Sequence, residues 1–347
     1  MKHHIAAVVV GACRRFWDRC AHETSSTVGL RGILAGVLLA GMTMPASSQT
    51  AYPTRPVQLI IAYGGGSVGD VSMRLLANKL TEKLGASFIV DNRPGAGGIV
   101  AARAVAAAAP DGYTLLLTGN SYAISTALFN SLPYNILNDF VSISTVASFD
   151  MLILSKTGSP LKSLQDIIAF AKKNPGKLNI GTLSAGTTQF LAVEMLKIEA
   201  GINVTTVPFR TSTEVATALL RGDVDIVLDT MPPMQSLIET QKATVIATAG
   251  RQRFLPDVPT AIESGVKDFD ASSWNGIAAP AGTPRSIVDT LSKATTEVLR
   301  SSEVQNTAHK LGIAMGGSTP EEITARMKTD INKWSSVIAK ANIPKLN

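Results

Sequence analysis

A glycine-rich stretch between an apolar segment and a helical pattern is the part of the sequence best suited to bind a ligand. The run Tyr63-Gly64-Gly65-Gly66-Ser67-Val68-Gly69-Asp70 follows the apolar residues Leu59–Ala62, and apolar residues then recur at helical spacing. The first N–H groups of a helix have no partner within the helix, and the helix dipole adds partial positive charge there. The stretch therefore predicts a site for a carboxylate or phosphate, although a tight turn without a ligand has the same pattern.

A second polar loop of the same kind lies near the middle of the chain. Ser184-Ala185-Gly186-Thr187-Thr188 follows the predicted strand Leu178–Gly181 and precedes the predicted helix Phe190–Ala200. Its hydroxyl and amide groups can bind a second carboxylate, or they can serve only as helix caps. Two such loops favour a cleft with polar walls on both sides.

Three charged residues near predicted strand or helix ends are candidates for ligand binding. Asp70 lies in the first turn of its helix, where it is stabilised by the dipole or balances a ligand ammonium. Asp229 ends a predicted strand, which is where ligands bind in open α/β sheets, or it forms a turn before Pro232-Pro233. Arg210 also follows a strand, and it either pairs with a carboxylate or lies in solvent.

The first loop also fits a dinucleotide fingerprint. Gly64-x-Gly66-x-x-Gly69 follows a strand, and Asp91 lies 22 residues later, where an acid that binds ribose is expected. A dinucleotide-dependent enzyme is therefore the alternative hypothesis. Against it, an exported protein has little access to nicotinamide cofactors, and Asp91 belongs to a polar loop of its own, Asp91–Gly95. We expect no cofactor.

Composition and the N-terminus indicate an exported globular protein. The 347 residues are 45% hydrophobic and 17% charged, with a mean hydropathy of +0.20. Basic residues precede the apolar segment Gly32–Met44, which is shorter than the roughly 20 residues that span a bilayer. Small residues follow at Ala46 and Ser48. We predict a signal peptide over residues 1–48, cleavage near Ser48/Gln49 and a periplasmic location.

Cleavage removes most of the residues that catalysis or metal binding would need. Both cysteines and three of the four histidines lie in the leader, so His309 is the only histidine of the mature chain. A disulfide framework, a thiol nucleophile and a multi-histidine metal site are thereby excluded, and we predict no enzyme, no catalytic residue and no metal ligand. The leader carries five Lys or Arg and two Asp or Glu, so its removal lowers the formal net charge from +6 to +3. No basic cluster with interleaved aromatic residues remains, and we expect no nucleic acid partner.

The mature chain alternates predicted strands and helices at βαβ spacing, which indicates parallel sheets covered by helices. A long β-rich stretch, Val141–Leu154, is followed by a second set of alternating elements. The restart near residue 150 predicts two lobes.

A set of short motifs runs through the chain from Tyr52 onward. In order they are Tyr52–Val57, Val90–Gly98, Ala109–Leu116, Leu132-Pro133-Tyr134 with Asp139-Phe140, Asn174–Leu178, Gly186–Thr188, Leu255–Thr260, Ser273-Trp274, Ala279–Pro284 and Lys333-Trp334. In these motifs the chain resembles the Bug (TctC-like) solute-binding receptors of tripartite tricarboxylate transporters.

The resemblance implies an α/β, two-lobed periplasmic binding protein of the type II-like class, with a mostly parallel sheet flanked by helices in each lobe. Residues 49–148 and 250–347 would form lobe 1 and residues 149–249 lobe 2, with hinges near Val146–Asp150 and Ala247–Arg251. The protein would be a monomer that closes on a small organic acid and delivers it to the membrane permease subunits of a transporter. A receptor that signals rather than transports is a second alternative. The site would comprise Tyr63–Asp70, the loop Ser184–Thr188 and Asp229, with Arg210 as a further candidate.

Two departures from the family pattern concern the ligand. The family's first loop has the form Pro-Phe-Pro-Pro-Gly-Gly, whereas Ala62–Asp70 contains no proline, and Phe190 replaces the family's usual histidine. Because glycine leaves the backbone freer than proline does, we expect a more mobile and roomier loop.

These departures predict a bulkier or more apolar acid than a small dicarboxylate. Isothermal titration against a panel of aliphatic and aromatic acids measures this directly. Binding of small aliphatic dicarboxylates alone would contradict it.

Overall fold

The apolar segment before the glycine-rich loop is a mostly buried strand in the interior of a sheet. A computed structural model describes residues 52–347, so the predicted signal peptide lies outside the described residues. The strands are β1 Val57–Ile61, β2 Phe88–Asn92, β3 Thr114–Gly119, β4 Phe140–Phe149, β5 Met151–Lys156, β6 Asn179–Leu183, β7 Thr205–Phe209, β8 Ile226–Thr230, β9 Ala243–Thr248, β10 Ser273–Pro280 and β11 Ala314–Met315. The helices are α1 Val68–Leu84, α2 Ile99–Ala106, α3 Asn120–Leu128, α4 Leu164–Lys173, α5 Thr188–Ala200, α6 Ser212–Arg221, α7 Met231–Glu239, α8 Arg285–Leu299, α9 Ser302–Lys310 and α10 Pro320–Lys340.

The strands form two sheets, one of six strands and one of five. The first has the order β11-β4-β10-β3-β1-β2, and the second has the order β7-β6-β8-β5-β9. Parallel pairs join β1 to β2 and β3, and β6 to β7 and β8. These pairs come from the βαβ units that the sequence predicted.

Both sheets are mixed, where mostly parallel sheets were expected. In the six-stranded sheet β10 runs antiparallel to β3 and β4, and in the five-stranded sheet β5 runs antiparallel to β8 and β9. Only Asp150 separates β4 from β5, so the single predicted stretch Val141–Leu154 leaves one sheet and enters the other. Since β5 and β10 are not reached through a crossover helix, the βαβ rule does not fix their direction.

The helix boundaries follow local capping signals. The Ser67 hydroxyl accepts a hydrogen bond from the Asp70 N–H at the start of α1, and Gly85 ends that helix in the left-handed conformation. Thr319 and Glu322 form a capping box at the start of α10. Helix α3 was not predicted. Most residues of α3 are buried, so it lacks the polar face that marks a surface helix.

The C-terminal helix α10 packs against elements of the six-stranded sheet. Trp334 of α10 is fully buried, and its indole N–H donates to Asn120 Oδ1 at 2.6 Å. Trp274 of β10 donates to Asp330 of the same helix at 2.5 Å. No helix in the described part of the chain is long and apolar enough to cross a membrane.

The packing of β10 against α10 gives a test of the fold. A Cβ at Gly276 would lie 2.8 Å from the Ser144 carbonyl oxygen and would overlap the Ile323 side chain. Gly276→Ala should therefore lower the free energy of unfolding by about 1–3 kcal/mol, as overpacking does. Gly316→Ala is the control, because nothing lies within 4 Å of its added Cβ. Urea denaturation of both variants measures the difference, and equal stability would contradict the packing described.

Candidate ligand-binding site

A cavity of about 130 Å³ lies where strand ends of both sheets meet. Its position agrees with the rule that ligands bind beyond the carboxyl ends of strands in α/β sheets. The lining residues are Tyr63, Ser67, Val68, Gly69, Ser121, Phe149, Met151, Leu183, Thr187, Thr188, Gln189, Ser212, Thr230, Pro233, Ser273 and Asn275. A wider groove of about 490 Å³ lies elsewhere, along α7 and residues 255–258, and it contains none of these strand ends.

Five helices begin at this cavity. First-turn or cap residues of α1, α3, α5, α6 and α7 line it, and each helix start brings partial positive charge. The starts of α1, α3, α5 and α6 also bring N–H groups without helical partners, whereas Pro232 and Pro233 in the first turn of α7 have no N–H. Within residues 52–347, no Lys, Arg or His side chain lines the cavity. An anion here would be compensated by backbone dipoles and N–H groups, without a formal ion pair.

The glycine-rich loop is held against α3 by Tyr63. The Tyr63 hydroxyl donates to Ser121 Oγ at 2.6 Å, and the Tyr63 ring lies so close to Gly69 that a Cβ there would be 2.6 Å from it. Burial raises the pKa of Tyr63, and the hydrogen bond with Ser121 opposes this rise only in part, so the phenol stays neutral. Tyr63 thus ties the start of α1 to the start of α3.

Asp70 is bonded within the protein and does not line the cavity. Its carboxylate accepts from the Gly66 N–H at 3.0 Å, from Asn92 Nδ2 at 2.9 Å and from Arg74 Nε at 2.9 Å. Burial acts to raise the pKa of Asp70, but these hydrogen bonds and the Arg74 charge outweigh it and hold the pKa below its usual value. Its charge stabilises the loop, in which Gly66 has a positive φ of 78°.

The second loop caps α5 and joins it to α3. The Thr187 hydroxyl accepts from the Phe190 N–H at 3.2 Å and donates to the Ser184 carbonyl at 2.9 Å. Thr188 Oγ1 accepts from Asn120 Nδ2 at 3.1 Å. Thr188 therefore connects a helix of the five-stranded sheet to a helix that follows the six-stranded sheet.

Asp229 is fully buried behind the cavity wall. Its Oδ1 accepts from the Thr230 N–H at 2.7 Å and from Gln189 Nε2 at 3.2 Å, whereas its Oδ2 has no partner among the described residues. Burial raises the pKa of Asp229, and hydrogen bonds from Ser212, Thr230 and Gln189 offset this only in part. The side chain orients two residues of the lining, Gln189 and Thr230.

Of the predicted site residues, Tyr63, Ser67, Val68, Thr187 and Thr188 line the cavity. The others lie around it or away from it: Gly64, Gly65, Gly66, Asp70, Ser184, Ala185, Gly186, Arg210 and Asp229. Arg210 is exposed, and its backbone N–H donates to Glu214. Phe190 is not part of the lining, so the cavity gives no support to a bulkier ligand on account of that residue.

Sequence reasoning missed several lining residues. The sequence could have identified Ser212 and Thr230, because each lies at the junction between a predicted strand and the following helix. The two predicted loops lie at junctions of the same kind. Ser121 belongs to α3, which was not predicted. Ser273 and Asn275 had no local signal, since they lie on an antiparallel strand that follows a long irregular segment.

Two observations argue against the dinucleotide hypothesis. Asp91 accepts from Arg93 Nε at 2.9 Å, and the cavity of about 130 Å³ is below the roughly 300 Å³ at which drug-sized pockets begin.

Comparison with known proteins agrees with this architecture. The sequence model of a family described as "Tripartite tricarboxylate transporter family receptor", TctC, matches residues 72–343. The chain belongs to this family. Protein BugT of Bordetella pertussis is 32% identical over 306 residues, covering 87% of this chain and 94% of BugT.

Solved structures with similar folds are receptors of the same kind. R. palustris Rpa4515 with adipate has a TM-score of 0.79 at 30% identity, over 85% of this chain and 100% of that one. The periplasmic binding protein BugD has a TM-score of 0.77 at 30% identity, with the same coverage. The family thus consists of periplasmic solute-binding receptors with two-lobed α/β folds, and this TctC-family chain is such a receptor.

The contrast between Asp70 and Asp229 gives a pH-dependent prediction. A carboxyl whose folded pKa is raised favours the protonated form, so its contribution to stability is lost as pH rises above the unfolded value near 4. At pH 7 the free energy of unfolding of Asp229→Asn should therefore equal the wild-type value or exceed it by up to about 1–2 kcal/mol. This difference should shrink towards pH 4.

Asp70→Asn should behave in the opposite way. The pKa of Asp70 is lowered, so its stabilisation is present at pH 7 and lost as pH falls through the folded value. We expect Asp70→Asn to lower stability by about 2 kcal/mol at pH 7. Denaturant unfolding between about pH 3 and pH 8 measures both variants, because the stabilisation by Asp70 is lost only below the unfolded value near 4. The same sign for both at pH 7 would contradict the described geometry.

Proposed function

We propose that the chain captures a small organic carboxylate in this cavity and delivers it to the membrane permease subunits of a tripartite tricarboxylate transporter. The observation that carries the proposal is the convergence of five helix N-termini on a cavity without basic side chains. Backbone N–H groups at helix starts are suited to bind carboxylates. The adipate found with Rpa4515, a structural neighbour in the same family, supports this ligand class.

The distribution of the helix starts favours an acid with two carboxylates. The starts of α1 and α3 lie on the side of the six-stranded sheet, and those of α5, α6 and α7 lie on the side of the five-stranded sheet. The lining also contains the apolar side chains Phe149, Met151 and Leu183. A volume of about 130 Å³ corresponds to roughly four water molecules. A short aliphatic dicarboxylate fits these features better than an aromatic acid does.

The two-sheet arrangement supports closure between two lobes. We assign residues 49–148 and 250–347 to lobe 1 and residues 149–249 to lobe 2, with a hinge at the two chain crossings. Asp150 links β4 to β5 at one crossing, and Gly250 at the other is packed so closely that any Cβ would overlap the Asp150 carboxylate. The ligand shifts the population to the closed form because only that form offers it both walls.

The proposal also includes export and a monomeric state. Removal of residues 1–48 near Ser48/Gln49 would release the receptor into the periplasm, where it would meet the permease as a single chain. Native mass spectrometry of protein purified from the periplasm would report the mature N-terminus, the oligomeric state and any acid that co-purifies.

A charge-placement experiment tests the ligand class. Isothermal titration with adipate and malate should give saturable binding, whereas their dimethyl esters and NAD should not bind. Ser212→Glu places a carboxylate at the helix start that lines the cavity, and it should weaken adipate binding at least 100-fold. Thr213→Glu is the matched control, because this exposed neighbour lies in the same first turn but outside the lining.

Three results would count against the proposal. They are equal affinity for the esters and the acids, equal effects of Ser212→Glu and Thr213→Glu, and saturable binding of NAD with none of the acids.

A further inference from the structure

Asn275 is the one residue of the described chain that both lines the cavity and carries a buried side-chain polar atom without a partner. Buried polar atoms without a partner also occur in Tyr134, Thr182, Asp229, Thr248 and Thr295, and none of these residues belongs to the lining. Asn275 is 2% exposed, and its Nδ2 finds no acceptor among residues 52–347.

The orientation of Asn275 follows from the packing of β10. Trp274 donates to Asp330 of α10, and a Cβ at Gly276 would meet Ile323 of the same helix. Successive side chains of a strand point to opposite faces, so Ser273 and Asn275 lie on the face away from α10. Both residues line the cavity. The two contacts with α10 hold this face in place.

Position 275 is costly for an asparagine unless a ligand uses it. A buried amide donor without an acceptor costs about 1–3 kcal/mol, whereas an apolar side chain of the same shape carries no such cost. The cost ends when a carboxylate oxygen accepts from the amide. Hydrogen bonds to charged groups are worth about 1.5–3 kcal/mol, and a site of this kind rejects analogues that lack the acceptor.

We propose that Asn275 is a specificity-determining residue, whose Nδ2 donates a hydrogen bond to a carboxylate oxygen of the bound acid. This inference rests on the proposed function and adds a side-chain contact to the backbone N–H groups of the helix starts. Ser273 lies beside it on β10, with its Oγ 3.5 Å from Thr188 Oγ1, so the same strand face also meets the opposite wall.

Two substitutions at Asn275 separate the donor role from a structural one. Asn275→Leu keeps the branched shape but removes the donor, and it should weaken adipate or malate binding by 10-fold to 100-fold in isothermal titration. The same variant should unfold at the same temperature as the wild type or higher, because an unpaired donor is lost. Asn275→Asp turns the donor into a negatively charged acceptor and should weaken binding further than Asn275→Leu does.

Thr295→Val is the matched control. Thr295 of α8 is fully buried with an unpaired hydroxyl, but it lies outside the cavity lining. Its replacement should raise the unfolding temperature without changing the affinity for adipate or malate.

The possible outcomes distinguish a failure of this inference from a failure of the proposed function. Wild-type protein that binds neither acid overturns the proposed function and this inference with it. If the wild type binds, unchanged affinity in Asn275→Leu overturns the inference alone. It is likewise overturned if Asn275→Leu unfolds at a lower temperature with unchanged affinity, or if Asn275→Asp binds as well as the wild type.

Discussion

The partial positive charge at the starts of five helices is the constraint on which the binding region depends. First-turn or cap residues of α1, α3, α5, α6 and α7 line one small cavity that no basic side chain of the described chain lines. Parallel strands followed by helices place these helix starts at the same edge of each sheet. Two sheets that face each other then bring the two edges together. The fold therefore gathers partial positive charge at this cavity by topology, before any particular side chain is chosen.

The polar side chains around the cavity mainly position backbone. Ser67 and Thr187 cap their helices, Tyr63 ties the first loop to Ser121, and Asp70 binds the loop through Gly66. Such caps orient the helix starts without adding formal charge to the cavity. Asn275 differs from them, since its amide donor has no acceptor among the described residues. In our proposal this amide donates to the ligand, and leaving it without an acceptor in the free protein lowers stability.

The two aspartates show why residue type and position along the chain do not fix a role. Asp70 and Asp229 both lie near strand-to-helix junctions, and both were candidates for ligand binding. The structure gives Asp70 a cation and two further donors, so its pKa falls. It buries Asp229 with one oxygen unpaired, so its pKa rises. The difference arises from Arg74 and Asn92 on one side and from the dry interior beneath Gln189 on the other. Only the pairing of Asp70 with Arg74, four residues later on the same helix, is visible in the local sequence.

The sequence by itself determined the βαβ units, the two polar loops and, through ordered motifs, the family. These features depend on residues close together in the chain, where periodicity and capping act. Tertiary structure alone decided the mixed direction of the strands in both sheets and the burial of α3. It also decided that Asp70 and Arg210 lie outside the cavity lining and that Ser273 and Asn275 belong to it. Each of these depends on residues far apart in the chain, as when Trp274 and Gly276 pack against α10 and turn their neighbours towards the ligand. The sequence pattern of a helix or strand shows which of its faces is apolar. Only the tertiary packing decides which residues that face contacts.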